Sequence, residues 1–408
     1  MRQPVSFPAV LRDRRFSLLV SGQFVSALGD GMFPIAVSVQ LLADGRPGAI
    51  ATILAARAIG SLTGIMAAGA IVDRFARSRV MWVADVLRLV AVVVLIEAVT
   101  AGNLLLAHLG MAVLGLATSF FIPAFRAIIP RIVPADDVQQ ANALNSAILQ
   151  TATVGGPALG GALLILGSPE TIMWLNALSF GLSVLTLLLL PEPAGAPADR
   201  GDSVLTRAVG GLAAVRRIRW LSVLLITGIL QMALTVAPWF TFLPILSAET
   251  YGSTGPYAAS MTAHAIGGVF GAFLAAKATP RLPGAAAVLG PCLFSGMLLC
   301  LAWGAPATVL VVAHLIAGAG LQYSGVLQMT AIHQQVPDHL MGRVMSLTML
   351  GGALLTPVSY CVLGPLSHSV GARPVLVTGA GLALVVLLLP LLLPDFRHLS
   401  DARRLKIG

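Results

Sequence analysis

Long apolar blocks recur along the whole sequence and limit what it can fold into. Of 408 residues, 57% are hydrophobic and only 10% are charged, whereas a soluble domain carries about 25% charged residues. A helix rises 1.5 Å per residue, so a block of about 20 residues matches a hydrocarbon core of roughly 30 Å. Only a helix crosses lipid as a single segment of this length, because it satisfies its own backbone polar groups. The sequence therefore predicts an all-α membrane protein.

Twelve of these blocks are long enough to cross a membrane. The predicted spans are 16–41, 49–72, 80–99, 104–122, 143–166, 171–190, 220–246, 257–278, 285–304, 308–330, 344–366 and 373–393. Lysine and arginine accumulate in cytoplasmic connections. Here they concentrate in alternate connections, and the opposite ones hold only Arg46 and Arg373. Both termini are therefore predicted to be cytoplasmic, which requires an even number of spans.

The longest polar connection divides the chain into two halves. Residues 191–219 are rich in proline, glycine and charge, as is typical of a linker. We expect six-helix bundles at 1–190 and 220–408. A weak internal repeat, offset by about 203 residues, supports this division, because "RIVPADDVQQANALNSA" before the fifth span corresponds to "QQVPDHLMGRVMSLT" before the eleventh. Two parallel six-helix repeats are a known plan for membrane transporters.

Other classes of function are poorly supported by the sequence. The net charge is +9, but the basic residues lie between apolar blocks and not in an aromatic-rich patch, so no nucleic acid is expected. The three cysteines, Cys292, Cys300 and Cys361, form no CxxC or Cys/His cluster, so no metal site is expected. GxxxxGK[ST], HExxH and GxSxG are absent, so we predict neither ATP hydrolysis nor an enzyme.

The segment "GAIVDRFARSR" connects the second and third predicted spans. It resembles the signature loop of the major facilitator superfamily, with Ala76 where a glycine is usual and Ser78 where a basic residue is usual. The resemblance implies a cytoplasmic latch for the outward-facing state. Its gating residues would be Gly69, Asp73, Arg74, Arg77 and Arg79. The alternative is an ordinary basic loop that only sets orientation.

A second motif, "GPALGG", lies in the fifth predicted span. Ala152, Gly156 and Gly160 share one face, which lets two helix backbones pack tightly, and Pro157 removes a backbone donor and bends the helix. The motif resembles the GPxxGG signature of exporters and antiporters in the superfamily. That resemblance assigns Gly156, Pro157, Gly160 and Gly161 to an antiporter-like motif and favours export. A plain helix contact is the alternative.

The segment "PAFRAIIPRIVPADDVQQANALN" (123–145), together with "LGD" (28–30), resembles the branch that contains siderophore exporters and macrolide-efflux proteins. The resemblance implies proton-coupled antiport that exports a drug-like molecule, a siderophore or a biosynthetic product, without a cofactor. A proton-coupled importer or a lipid transporter of the same fold is the alternative. We expect a monomer in the cytoplasmic membrane of a bacterium.

Ionisable residues at membrane depth are candidates for coupling. Asp30 lies near the middle of the first span, on a face that includes Gln23 and Pro34. Arg57 lies at similar depth in the second span, so we predict an ion pair between them. The pair could switch with protonation of Asp30, or it could be a fixed packing element, and the alternative is that the two residues make no contact.

Further ionisable residues inside the predicted spans include Asp85, Arg88 and His264. Asp85 and Arg88 are spaced i, i+3 and are interpreted as a structural ion pair that braces the signature loop. His264 is a third proton-coupling candidate, with a satisfied core histidine as the alternative. The residues predicted to line a substrate cavity are Gln23, Gln231, Thr235, Trp239, Tyr257, Gln322 and Tyr323.

Overall fold

The computed structural model describes residues 12–134, 137–190, 216, 218–278, 280–336 and 338–399. These residues are almost entirely helical, and no strand occurs among them, which confirms the all-α prediction. Most of the predicted linker 191–219 lies outside the described residues. The first six helices are α1 (Arg14–Ala43), α2 (Ala49–Arg74), α3 (Arg77–Thr100), α4 (Leu104–Ile132), α5 (Val138–Leu166) and α6 (Pro169–Leu188).

The later helices begin at Arg219. They are α7 (Arg219–Gln231), α8 (Ala237–Tyr251), α9 (Gly255–Ala276), α10 (Pro283–Ala302), α11 (Ala307–Gln335), α12 (Asp338–Val370), α13 (Ala372–Leu388) and the short α14 (Pro394–His398). A π-helical turn, Met232–Val236, joins α7 to α8 as one continuous stretch. A 3₁₀ turn, Leu389–Leu392, follows α13.

Polar side chains fix where several helices begin. The Asn103 side chain accepts a hydrogen bond from the Leu106 amide at 3.1 Å, and the Ser168 hydroxyl accepts one from the Thr171 amide at 3.2 Å. Both satisfy an amide that has no partner in the first helical turn. Gly102 has φ of 76°, so it supplies a left-handed residue after α3.

The helices have the length and composition of membrane spans. Among the described residues, eight stretches are both long and apolar enough to cross a bilayer, and two shorter apolar stretches, Ala49–Ile65 and Gly155–Leu166, lie within α2 and α5. A multi-pass membrane protein is therefore confirmed, while the number of twelve spans stays a prediction. Many large apolar side chains are exposed, as expected for surfaces that face lipid.

The chain divides into two compact units. One comprises Met1–Ala43 with Ala56–Ser203, and the other comprises Asp44–Ala55 with Val204–Gly408. In the first unit, α1 packs against α5 and α6, and α3 packs against α4 and α6. In the second unit, α11 packs against α9 and α10, and α10 also packs against α13.

The segment predicted as the signature loop is mostly helical. Because α2 runs to Arg74 and α3 begins at Arg77, only Phe75 and Ala76 connect them. Arg77 is buried and donates a hydrogen bond to the Phe75 carbonyl at 3.1 Å, whereas Arg74 and Arg79 are exposed. The side chains of the other two predicted gating residues, Gly69 and Asp73, lie outside those that the structure describes.

Candidate functional site

A buried cluster of charge lies in the first unit, where α1, α3 and α6 meet. Arg88 on α3 forms an ion pair with Asp30 on α1, and it donates a hydrogen bond to Asp85 Oδ1 at 2.9 Å. The side chains of Asp85 and Arg88 are 0% and 3% exposed, while that of Asp30 is 24% exposed. Two carboxylates share one guanidinium, so the cluster in its ionised form carries one net negative charge.

Hydrogen bonds extend this cluster along α6 and α1. The Ser183 hydroxyl donates to Asp85 Oδ2 at 2.6 Å and accepts from Gln23 Nε2 at 2.9 Å. Both Asp85 oxygens therefore have donors. Gln23 and Asp30 are seven residues apart on α1, so the helix touches the cluster at two points two turns apart.

Aromatic rings hold the guanidinium of Arg88. Its central carbon lies 4.3 Å from the centre of the Phe180 ring and 5.1 Å from that of Phe121. Both rings are at least 95% buried. A guanidinium over an aromatic face is stabilised by the electrons of the ring, most strongly where water is excluded. Arg88 is therefore fixed in place by contacts that do not depend on the charge of Asp30.

The predicted ion pair between Asp30 and Arg57 is wrong. Asp30 pairs with Arg88 on α3. The prediction compared depth alone and assumed that consecutive helices place their charges together. In the structure α1 faces α6, which also contacts α3, and the backbone of Arg57 packs against Gly115 of α4.

The predicted pair of Asp85 and Arg88 is present, but its surroundings differ from the prediction. Its other partners are Asp30 on α1 and Ser183 on α6. These contacts join three helices in the interior, and the predicted bracing of the loop after α2 stays a prediction.

A polar face on α6 was not among the sequence predictions. Asn176, Ser179 and Ser183 are each at most 4% exposed and face α1. A Cβ placed on Gly29 would lie 2.5 Å from Asn176 Oδ1 and 2.6 Å from Ser179 Oγ. The spacing i, i+3, i+7 within an apolar span was the signal that could have revealed this face.

The glycines of the "GPALGG" motif make a very close helix contact. A Cβ added to Gly156 would lie 2.8 Å from the Cα of Gly31, and one added to Gly160 would lie 3.0 Å from the Cα of Met32. Pro157 Cδ also lies against Gly31. The close packing of the motif in α5 is thus with α1, at the residue that follows Asp30.

A cluster of aromatic and imidazole rings lies in the second unit. The Trp239 indole on α8 donates to His314 Nε2 at 3.1 Å, while His314 Nδ1 lies 2.8 Å from the Leu310 carbonyl. A carbonyl only accepts, so Nδ1 must carry a hydrogen and Nε2 must accept. The two bonds therefore specify the neutral Nδ1–H tautomer of His314, which is fully buried.

His264 on α9 lies against this pair. Its ring centre is 4.9 Å from that of Trp239 and 5.8 Å from that of Phe294, which it meets edge to face. Its Nδ1 is buried without a hydrogen-bond partner among the described residues. Among the residues that the structure describes, no salt bridge reaches this cluster, whereas the cluster of the first unit contains two.

Arg57 and His264 occupy corresponding positions in the two units. A Cβ on Gly115 would lie 2.0 Å from the Arg57 carbonyl oxygen, and one on Gly318 would lie 2.0 Å from that of His264. The reciprocal contacts match as well. A Cβ on Gly60 would lie 2.0 Å from the Ala112 carbonyl oxygen, and one on Gly267 would lie 2.0 Å from that of Leu315. The local sequences "ARAIG" and "AHAIG" agree with this correspondence.

The residues predicted to line a cavity differ in burial. Gln23, Thr235, Trp239 and Tyr257 are buried, and Gln23 belongs to the charged cluster. Gln231, Gln322 and Tyr323 are half-buried. Their roles toward a substrate stay predictions.

A comparison with protein families matches residues 19–360 to the Major Facilitator Superfamily. The multidrug efflux pump Tap of Mycobacterium tuberculosis (strain ATCC 25618 / H37Rv) is 28% identical over 403 residues, which covers 92% of this chain and 93% of Tap. The enterobactin exporter EntS of Escherichia coli O9:H4 (strain HS) is 26% identical over 399 residues, covering 94% of this chain and 92% of EntS.

Solved structures share the fold at low sequence identity. The nucleoside transporter NupG matches 93% of this chain and 98% of its own, with a TM-score of 0.72 and 12% identity. A bacterial homologue of the iron transporter ferroportin, in an inward-facing state, matches 92% of this chain and 98% of its own, with a TM-score of 0.70 and 17% identity. At these identities the likeness concerns the fold alone.

Proposed function

Because the chain belongs to the Major Facilitator Superfamily, we propose that it is a secondary active exporter that exchanges protons for a drug-like molecule, a siderophore or a biosynthetic product. Tap and EntS, an efflux pump and an exporter by name, support the direction. The observation that carries the proposal is the buried cluster of Asp30, Asp85 and Arg88, whose three ionised groups sum to one negative charge.

The proposed architecture is twelve spans in two six-helix bundles, with both termini in the cytoplasm of a bacterium. The two bundles rock to open a central substrate site to one side at a time. The proton gradient supplies the energy, and the monomer needs no cofactor. The eight described spans and the two compact units support this arrangement.

Asp30 is the proposed proton carrier. A net charge inside a membrane protein is costly, and binding one proton makes the cluster neutral. Asp30 is the member whose side chain is partly exposed, and its Oδ1 has no hydrogen-bond partner in the part of the chain that the structure describes. Arg88 keeps its place when Asp30 becomes neutral, because Asp85 and the rings of Phe121 and Phe180 still hold it.

The position of Asp30 suggests how its charge affects the helices. Gly31, the next residue, lies against Gly156 of α5 with no room for a side chain. When Asp30 is neutral, its attraction to Arg88 is lost, so α1 and α3 are held together less strongly near Asp30. We infer that protonation therefore changes how α1 crosses α5, where the antiporter-like motif lies.

Everted membrane vesicles from a host that lacks its own efflux pumps test this function. Respiration acidifies their lumen, so proton-coupled export predicts that ethidium or enterobactin accumulates inside and that an uncoupler abolishes the accumulation. Asp30→Asn should remove the dependence on the gradient. Glu97→Gln, at an exposed carboxylate on α3, should not. Uncoupler-sensitive accumulation in right-side-out vesicles instead would show import and refute the proposal.

A further inference from the structure

The two carboxylates of the charged cluster differ in their bonding. Asp85 accepts a donor at each oxygen, from Arg88 at 2.9 Å and from Ser183 at 2.6 Å, and its side chain is 0% exposed. Among the described residues, Asp30 accepts from Arg88 at one oxygen, and its other oxygen has no hydrogen-bond partner. Burial opposes the ionised form of Asp85, and hydrogen bonds to an ionised carboxylate stabilise that form.

Ser183 can give Asp85 only one hydrogen, and Gln23 determines where that hydrogen points. The Gln23 amide donates to the Ser183 oxygen at 2.9 Å, so this bond occupies a lone pair of the hydroxyl. The hydroxyl hydrogen is then left for Asp85 Oδ2. A proton on Oδ2 would compete with the hydroxyl hydrogen for the same short contact, and the bond between Ser183 and Asp85 would have to be remade.

We propose that Ser183, oriented by Gln23, is a positioning residue that keeps Asp85 ionised and so confines proton exchange to Asp30. This inference rests on the proposed proton coupling and names the device that selects one of two carboxylates. Among the described residues, Ser183 bonds to Asp85 and Gln23 and not to Asp30, so it acts on Asp30 through Asp85.

The surroundings of Asp85 contain few competing charges. The charged groups that act on it are Arg88, on its own helix, and Asp30, on α1. From α6, the described neighbours of the cluster are Ser183 and Phe180, and from α4 the neighbour is Phe121. None of these three side chains gains or loses a proton near neutral pH. Removing the Ser183 hydroxyl therefore changes the hydrogen bonding of Asp85 without altering the charge around it.

Infrared spectroscopy of the purified full-length protein in liposomes tests this assignment without a substrate. A buried carboxyl that binds a proton as the pH falls gains a C=O stretching band at high wavenumber. The wild type should show one such band, and Asp30→Asn should remove it. Ser183→Ala should add a second band that persists in the double variant Asp30→Asn/Ser183→Ala. Ser183→Thr, which retains a hydroxyl, should restore the single band.

Ser179→Ala is the matched control, because Ser179 is equally buried on α6 but donates to the Asn176 carbonyl. It should leave the single band unchanged. If Asp30→Asn/Ser183→Ala shows no buried carboxyl band, or if Ser179→Ala adds one too, Ser183 has only a packing role. If Asp30→Asn alone leaves the wild-type band in place, the proposed proton carrier is wrong, which is a separate failure.

Discussion

Arg57 and His264 stand at the same place in two copies of one helix pair. In each copy a glycine of the partner helix, Gly115 or Gly318, fits against the carbonyl of this residue so closely that even a methyl group has no space. The packing of the pair is thus retained in both units, while the side chain at the shared position is a guanidinium in one and an imidazole in the other. The two units therefore share this backbone contact and differ in the side chain at the position.

Alanine at either of these glycines should destabilise the protein. The added Cβ of Gly115→Ala or Gly318→Ala would lie 2.0 Å from a backbone carbonyl oxygen, and the helices must separate to admit it. Overpacking of this kind costs about 1–3 kcal/mol. Thermal unfolding in detergent measures the change. Gly228→Ala is the control, because no atom lies within 4 Å of its added Cβ. Equal stability of all three variants would contradict the close packing.

Replacing Arg88 alone should destabilise the protein more than replacing Arg88 and Asp85 together. Arg88→Met leaves Asp85 buried without its countercharge, and breaking a buried pair in this way costs about 3–5 kcal/mol. Arg88→Met/Asp85→Asn should recover part of that loss. Chemical unfolding in mixed micelles gives both values. A double variant less stable than Arg88→Met would contradict the ion pair that the structure shows.

The indole of Trp239 should stabilise the second unit through His314. Trp239→Phe keeps a ring but leaves His314 Nε2 without its donor, and an unsatisfied buried acceptor costs about 1–3 kcal/mol. Trp174→Phe is the matched control, since that indole is exposed and bonds to Glu170 at the surface. Thermal unfolding should therefore separate the two variants clearly. A similar small effect in both would argue against the hydrogen bond.

Crowding the crossing of α1 and α5 should impair exchange. The Cβ of Gly156→Ala would lie 2.8 Å from the Gly31 Cα, next to Asp30, whereas that of Gly155→Ala meets only a Leu28 methyl at 3.4 Å. We expect gradient-driven efflux to slow about tenfold in Gly156→Ala, equivalent to roughly 1.4 kcal/mol in the barrier. Gly155→Ala should remain near the wild-type rate. Initial rates in everted vesicles provide the measurement, and unchanged efflux in Gly156→Ala would exclude the crossing from the transport cycle.

The positions of the helices could be predicted from the sequence, whereas most of the contacts between them could not. Apolar length fixes where a span begins and ends, because the bilayer sets its length, and the i, i+3 spacing correctly predicted the pair of Asp85 and Arg88. The partner of Asp30 could not be found in this way. It depends on which helices are neighbours in space, and depth along a span does not contain that information. Ser183 was missed for the same reason, because the i, i+3, i+7 spacing of Asn176, Ser179 and Ser183 marks a shared face but not the helix that this face meets.

The π-helical turn before Trp239 has a consequence for how the second unit tolerates length changes. The Ala237 amide bonds to the Met232 carbonyl, five residues back, so this turn holds one residue more than an α-helix needs. Deleting one residue from 232–236 should convert this turn into a regular α-helix, and the helical stretch should remain continuous. The α-helical turn that replaces it closes with one residue fewer, so the residues beyond keep nearly the same direction and the indole still reaches His314. The surplus residue is therefore accommodated within the π-helical turn and does not decide the direction of Trp239.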